Sequence, residues 1–70
     1  MKVIVNGTEA DFVDGLTVRG LLSERNVKMP DMVSVELNGQ VLKRVDFEKT
    51  VLKDGDKVEF LYFMGGGRWD

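Results

Sequence analysis

The chain is short, slightly acidic and without the residue types that many kinds of site require. It has 70 residues, 10 Lys and Arg against 12 Asp and Glu, a net charge of −2, and neither cysteine nor histidine. This composition excludes disulfide scaffolds, the usual zinc, iron–sulfur and haem sites, and catalysis by a thiol or an imidazole. A chain of this length forms one domain and buries only about 60% of its unfolded surface, so we expect a module rather than a self-sufficient enzyme.

The sequence also limits location and partners. No stretch approaches the roughly 18 apolar residues of a membrane span, and the apolar run in Met1–Asn6 is too short for a signal peptide. Basic residues are scattered among acidic ones, and Lys43-Arg44 is the only adjacent basic pair, which disfavours nucleic-acid binding. We expect a cytoplasmic protein that binds neither membrane nor nucleic acid.

The N-terminal segment predicts a β-hairpin. Lys2 to Val5 is an apolar, β-rich run that meets Asn6-Gly7. Asn-Gly is a strong hairpin signal because both central residues of a type I′ turn need a positive φ. Thr8 to Val13 is therefore the expected second strand, and Asp14-Gly15 ends it.

A short helix is predicted next. Its apolar positions have the i, i+3, i+4 spacing of one helix face: Val18, Leu21 and Leu22. Thr17 is the expected N-cap, because its hydroxyl can accept a hydrogen bond from a free amide of the first turn. The helix is expected to end at Asn26. Gly20 costs about 1 kcal/mol against alanine inside a helix. It either allows close packing on a sheet or is simply tolerated.

A second hairpin follows a loop at Lys28 to Asp31. Val33 to Leu37 alternates with the period of two expected for a strand with one buried face, and Asn38-Gly39 turns it back into Val41 to Arg44. The segment from Val45 to Leu52 is ambiguous and fits a short turn or a single helical turn.

The last predicted element is a central strand. After a reversal at Asp54–Asp56, Lys57 to Met64 reads as apolar on both faces, which is typical of a strand in the middle of a sheet. Two hairpins cannot bury their apolar faces alone, and one helix across one sheet face is the smallest architecture that does so. The prediction is an α+β, β-grasp (ubiquitin-like) fold: a mixed sheet of four to five strands on one helix, over residues 1–64.

Residues 65–70 remain as a tail, Gly65-Gly66-Gly67-Arg68-Trp69-Asp70. One interpretation is a frayed terminus or linker, because three glycines are costly to order. The other is a narrow tail that delivers a carboxylate into a partner's active site, since Met64 to Gly67 can extend by roughly 13–14 Å.

The motifs together resemble those of the ThiS/MoaD family of ubiquitin-like sulfur carriers, ThiS more closely. The resemblance covers nearly the whole chain and rests on the order and spacing of these motifs: Val5-Asn6-Gly7, Leu16-Thr17-Val18 with Leu21-Leu22, Val35-Glu36-Leu37-Asn38-Gly39 with Arg44, Asp54-Gly55-Asp56-Lys57-Val58-Glu59-Phe60, and Phe63-Met64-Gly65-Gly66-Gly67.

The resemblance implies a carrier chemistry that needs no cysteine, histidine or metal in this chain. In that family a ubiquitin-activating-type enzyme uses ATP and magnesium to adenylate the terminal glycine carboxylate. A sulfur donor then converts it to a thiocarboxylate, which gives its sulfur to a biosynthetic enzyme. The matching positions here are Gly67 for the reactive residue, with Gly65 and Gly66 threading the tail. ATP and magnesium would belong to the partner, and no bound cofactor is expected.

The chain departs from the family pattern after Gly67. ThiS-like carriers normally end at the diglycine, whereas Arg68, Trp69 and Asp70 follow here. With these residues attached, Gly67 carries an amide that cannot be adenylated. Some relatives have extensions that a JAMM-type metalloprotease removes, and these are tied to methionine or cysteine sulfur assimilation as well as to thiamine. The resemblance therefore implies a precursor that is trimmed to Gly67.

The partner surface is predicted from fewer signals. Phe47, Phe60 and Tyr62 fit packing in the core or on the sheet face, or alternatively an open-face surface that docks the adenylating enzyme. Arg44, with Lys43, either lies at a solvated strand edge or meets an acidic patch on that partner.

Other functions remain open at this point. One is a ubiquitin-like binding module with Arg68–Asp70 as a permanent cap, and another is a MoaD-like small subunit for molybdopterin synthesis. A ferredoxin is excluded because its cluster needs thiolate ligands. Glu36, Asp54 and Asp56 are better explained as strand-surface and turn residues than as an enzyme's carboxylates.

Overall fold

A computed structural model describes residues 1–25, 27 and 33–62. Asn26, residues 28–32 and residues 63–70 lie outside this described part, as do the predicted loop at Lys28–Asp31 and the tail. The elements within the described part are β1 Lys2–Val5, β2 Thr8–Asp11, α1 Val18–Glu24, β3 Val33–Leu37, β4 Gln40–Leu42, a 3₁₀ turn Arg44–Asp46, and β5 Lys57–Tyr62.

The strands form one mixed sheet in the order β2-β1-β5-β3-β4. The outer pairs are the two predicted hairpins, and β5 lies between them, parallel to β1 and antiparallel to β3. This arrangement confirms both the β-grasp architecture and the central position of β5. The last strand in sequence thus joins two hairpins that are each marginal alone.

The core lies between α1 and one face of the sheet. The residues that alternate inward on the strands meet the apolar face of the helix, as the periods of two and 3.6 require. The buried set is Val3, Val5, Val18, Leu21, Leu22, Val33, Val35, Phe47, Leu52, Val58 and Phe60. All three apolar helix positions predicted from the sequence belong to it.

Helix α1 begins as predicted. Thr17 is extended, at φ −90° and ψ 167°, and its hydroxyl accepts a hydrogen bond from Gly20 N at 3.1 Å. Seven residues are too few for a stable isolated helix, so α1 depends on this cap and on packing. A Cβ on Gly20 would lie 2.7 Å from Leu16 Cδ1. The close neighbour of Gly20 is therefore the side chain of Leu16, four residues earlier, and not the sheet.

Two predicted strand ends need correction, and one ambiguous segment is resolved. Strand β2 ends at Asp11 rather than Val13, where it pairs with Lys2, the first residue of β1. Strand β4 ends at Leu42, since Arg44 already begins the 3₁₀ turn. That turn resolves the ambiguous segment in favour of a single helical turn, and it places Phe47 in the core.

The described part of β5 buries only one face, although the sequence pattern predicted a strand with two apolar faces. Val58 and Phe60 face the core, whereas Lys57 and Glu59 on the other face are exposed and Leu61 is 42% exposed. A central strand is buried on both faces only when a layer covers each one. Within the described residues, α1 covers one face of this sheet. No helix in the described part is long and apolar enough to cross a membrane.

Candidate functional site at the end of the central strand

The end of β5 is where the predicted reactive tail begins. On one side, β5 stays paired with β3 as far as Val33 opposite Tyr62. On the other side, its pairing with β1 stops at Val5 opposite Val58, because β1 turns away at Asn6. The tail residues Gly65, Gly66, Gly67, Arg68, Trp69 and Asp70 themselves lie outside the described part.

The side chain of Asn6 continues the hydrogen bonding to β5 beyond the point where the β1 backbone turns away. Asn6 N donates to Val58 O at 2.9 Å, and Asn6 Oδ1 accepts from Phe60 N at 2.8 Å. Asn6 sits at φ 50°, a conformation that asparagine tolerates better than most residues. The Asn6 amide oxygen thus continues the β1–β5 ladder past the last backbone pair.

The second Asn-Gly turn holds the other end of the same strand. Asn38, at φ 53°, accepts from Lys57 N through Oδ1 at 3.0 Å and donates through Nδ2 to Asp56 Oδ1 at 3.1 Å. The sequence predicted both turns but not these contacts, because the acceptor and donor are far apart along the chain. The only sequence signal was the choice of asparagine, whose side chain can hydrogen-bond to backbone groups.

A shallow hollow of about 320 Å³ lies beside the end of β5. Its lining combines apolar and polar residues: Val5, Asn6, Thr8, Arg25, Val27 and Phe60. The Arg25 guanidinium also lies 5.3 Å from the centroid of the Phe12 ring, a cation–π distance. The cationic side chain of Arg25 therefore lies beside the described end of β5.

The predicted partner residues do not form one surface. Phe47 is 2% exposed and Phe60 9% exposed, so their assignment to an open-face docking surface is wrong and both belong to the core. Each faces α1 because Phe60 shares the inward phase of β5 and Phe47 follows the 3₁₀ turn. The Tyr62 side chain lies outside the described part. Arg44 is exposed at the sheet edge, and its guanidinium donates to Val33 O at 3.4 Å.

Two exposed apolar residues on the open sheet face were not predicted as contacts. Leu61 is 42% exposed and Val41 is 68% exposed. The register places Leu61 opposite Ser34, and Val41 opposite Glu36, on the side away from the helix. The period of two could have found Leu61, because a residue next to the inward Phe60 must point outward.

One ion pair on the described surface joins Lys2 and Asp11 of the first hairpin. Lys2 Nζ lies 3.2 Å from Asp11 Oδ1, and the hydrogen bond and charge of Asp11 raise the pKa of Lys2 above its ordinary value. Among the described residues, no three Asp or Glu side chains come together in a way that could hold a metal ion.

Similarity to known proteins identifies the family. The family model described as the ThiS family matches residues 3–67. This chain belongs to the ThiS family. The match ends at Gly67, so Arg68, Trp69 and Asp70 lie beyond the family pattern. The resemblance inferred from the motif order is thereby confirmed.

Solved structures of a ThiS protein have the same fold. The crystal structure of a thiamine biosynthesis protein (ThiS) from Geobacter metallireducens superposes with a TM-score of 0.85 at 51% identity. It covers 96% of this chain and 100% of that chain. The NMR solution structure of a thiamine biosynthesis protein from Geobacter metallireducens gives a TM-score of 0.79 at 50% identity, covering 100% of this chain and 92% of that chain.

Two curated relatives are much longer proteins. A thiazole synthase of Paramagnetospirillum magneticum is 37% identical over 67 residues, and a thiazole synthase of Magnetococcus marinus is 35% identical over 68 residues. These alignments cover 96% and 97% of this chain. The chain spans only about a fifth of the length of either relative, at 20% and 21%. A ThiS-like region therefore occurs within longer proteins named thiazole synthase.

Proposed function

We propose that this chain carries sulfur as a thiocarboxylate on the backbone carboxyl group of Gly67. The observation that supports this most directly is the ThiS-family match, which runs through the domain and ends at Gly67. The fold supports it as well, because β5 leads directly from the centre of the sheet towards the glycine run. In this function the chain is a co-substrate and not a catalyst.

The proposed chemistry has two steps. A carboxylate oxygen of Gly67 attacks the α-phosphorus of ATP, which forms an acyl-adenylate and releases pyrophosphate. A donor at the oxidation level of hydrosulfide then attacks the acyl carbon, AMP leaves with the oxygen that had attacked phosphorus, and a proton is released. The product is a thiocarboxylate, and no electrons are transferred. The adenylating partner supplies the ATP site and magnesium.

The three residues after Gly67 must be removed first. While Arg68 is attached, the Gly67 carbonyl belongs to an amide and has no free oxygen to attack ATP. Hydrolysis of the Gly67–Arg68 peptide bond adds water across it and frees the carboxylate. A metalloprotease of the JAMM type is the proposed agent, and Arg68-Trp69-Asp70 is the proposed product peptide.

The names of the relatives suggest an acceptor. The similar structures are of thiamine biosynthesis proteins, and the longer relatives are thiazole synthases. We infer that the sulfur acceptor is an enzyme of thiazole formation in thiamine biosynthesis, in the cytoplasm. Methionine or cysteine assimilation is the alternative acceptor pathway, and the trimmed extension is the feature that favours it.

Intact mass spectrometry of the full-length chain tests the proposal. The chain is incubated with the metalloprotease, the adenylating enzyme, ATP with magnesium and a sulfide donor, and each component is omitted in turn. The expected product has lost Arg68–Asp70 and gained the mass difference between sulfur and oxygen. Sulfur incorporation should need every component. A chain that stays untrimmed and unmodified in all mixtures would instead support a binding module with a permanent cap.

A further inference from the structure

The two Asn-Gly turns hold opposite ends of β5, and one of these ends is the origin of the tail. Asn38 bonds to Lys57, the first residue of the strand, through Oδ1 at 3.0 Å. Asn6 bonds to Phe60 through Oδ1 at 2.8 Å, two residues before Tyr62. The two asparagines have nearly the same φ, 50° and 53°, but they act at opposite ends of the strand. Substitutions at Asn38 can therefore serve as matched controls for substitutions at Asn6.

The Asn6 contact is placed where β5 loses its neighbour. Pairing with β1 ends at Val58, and beyond it Phe60 N would face the open side of the strand. An amide without a partner in this half-buried position would be costly, and it would leave the last part of the strand held by β3 alone. The Asn6 oxygen satisfies it and extends the two-sided support of β5 to Phe60.

We propose that Asn6 is a positioning residue that fixes the direction in which the tail leaves the domain. This inference rests on the proposed sulfur-carrier function. Only the seven residues from Leu61 to Gly67 separate the Asn6 contact from the reactive carboxyl group. Fully extended, they span at most roughly 23–25 Å. A strand held on both sides to Phe60 limits the volume that Gly67 explores, which favours productive alignment in a partner's site.

Glycine substitutions isolate the side-chain contact from backbone strain. Asn6→Gly removes the acceptor and adopts a positive φ without steric strain, and Asn38→Gly does the same at the other turn. Asn6→Asp keeps an oxygen acceptor for Phe60 N and also tolerates a positive φ. Asn6→Gly therefore removes the contact with Phe60 near the C-terminal end of β5, and Asn38→Gly removes the contact with Lys57 at its first residue. Asn6→Asp keeps the contact with Phe60.

The first measurement is amide hydrogen exchange on the full-length chain, which does not depend on any partner enzyme. Loss of one hydrogen bond changes a local opening equilibrium by about twofold to tenfold. Asn6→Gly should accelerate exchange of the Phe60 amide by that factor beyond its effect on global stability. Asn38→Gly should accelerate the Lys57 amide instead. Asn6→Asp should leave Phe60 protected as in the wild type.

The second measurement is adenylation of chains trimmed by the metalloprotease, with trimming verified by intact mass. Asn6→Gly should lower kcat about twofold to tenfold with KM unchanged, because docking is intact while the tail is less well directed. Asn38→Gly and Asn6→Asp should keep the wild-type kcat. Wild-type kcat for Asn6→Gly, an equal loss for Asn38→Gly, or no recovery in Asn6→Asp would each overturn the proposal. If the trimmed wild type is not adenylated at all, the result contradicts the proposed sulfur-carrier function, and with it the positioning role that rests on that function.

Discussion

Asn38 and Lys57 are joined by two hydrogen bonds that link the second hairpin to the start of the central strand. Asn38 N donates to Lys57 O at 2.8 Å, and Asn38 Oδ1 accepts from Lys57 N at 3.0 Å. Asn38 follows β3 directly, so these bonds continue the β3–β5 ladder into the turn. Asn38, which adopts the positive φ of the turn, therefore also helps to fix the register between β3 and β5.

Substitutions at Asn38 should separate its backbone and side-chain roles. Both Asn38→Gly and Asn38→Ala lose the contact with Lys57 N, which costs about 0.5–1.5 kcal/mol. Alanine at φ 53° adds about 1–2 kcal/mol of left-handed strain. Urea unfolding should thus rank the wild type above Asn38→Gly and Asn38→Gly above Asn38→Ala. Equal stability of the two variants would show that the turn relaxes out of the positive-φ conformation.

Thr17→Ala should destabilise the domain by about 0.5–2 kcal/mol. The substitution leaves Gly20 N without the hydroxyl that now accepts its hydrogen bond at 3.1 Å. Thermal unfolding followed by circular dichroism measures the loss. Thr17→Ser keeps a hydroxyl and should recover most of the stability. If serine is no better than alanine, packing of the threonine methyl group and not capping would be the important contribution.

Phe47→Ala should be among the most damaging single changes. Phe47 is 2% exposed and follows the 3₁₀ turn into the core, so its removal opens a cavity that costs about 3–5 kcal/mol. The matched control is Val45→Ala, two residues away and 74% exposed, which should change stability by less than about 0.5 kcal/mol. Denaturant titration of both variants checks the prediction. A small effect at Phe47 would mean that the core refills the space.

The Lys2–Asp11 pair should make a small stabilising contribution that disappears at high pH. Asp11 raises the pKa of Lys2 above its ordinary value of 10.5 through a hydrogen bond and its charge, and Glu9 adds to this. Because the folded-state pKa is the higher one, the stabilisation is fully present below pH 10.5. It is lost as the pH rises through the folded value. The pair is exposed, so added salt should weaken it.

The Lys2→Met variant isolates the contribution of this pair to the pH dependence of stability. Unfolding midpoints of wild type and variant are compared on both sides of pH 10.5. The difference in unfolding midpoint between wild type and variant should become smaller above pH 10.5. A difference that stays constant with pH would assign the effect to packing of the Lys2 side chain instead.

Gly67→Ala should abolish or strongly reduce thiocarboxylate formation without affecting folding. In the proposed function the carboxyl group of Gly67 enters a partner's active site, where an added methyl group would displace it, and a misplacement of about 1 Å can cost roughly 100-fold in rate. Intact mass spectrometry after the complete reaction measures the yield. The thermal midpoint, measured in parallel, should match that of the wild type. Sulfur loading of the variant at the wild-type rate would remove Gly67 from the proposed role.

Much of the fold follows from local signals. The two Asn-Gly pairs, the spacing of Val18, Leu21 and Leu22, and the cap at Thr17 are each decided by neighbouring residues, and the structure confirms all of them. The exposure of the outer face of β5 could not be predicted from the sequence. The apolar run from Phe60 onwards breaks the alternation along β5, and a sequence does not show which sheet face the described helix covers.

The composition by itself excluded thiol and imidazole chemistry, and the order and spacing of the motifs carried the resemblance to the ThiS/MoaD family, which implies a carrier whose reactive group is a backbone carboxyl group. Tertiary structure decided which residues surround the described end of β5. Phe60 is a core residue and not a partner contact, and Asn6 reaches its amide across 54 positions of sequence. Both outcomes depend on which strands become neighbours in the sheet. Strand pairing joins residues that are far apart along the chain, so no local sequence pattern predicts it.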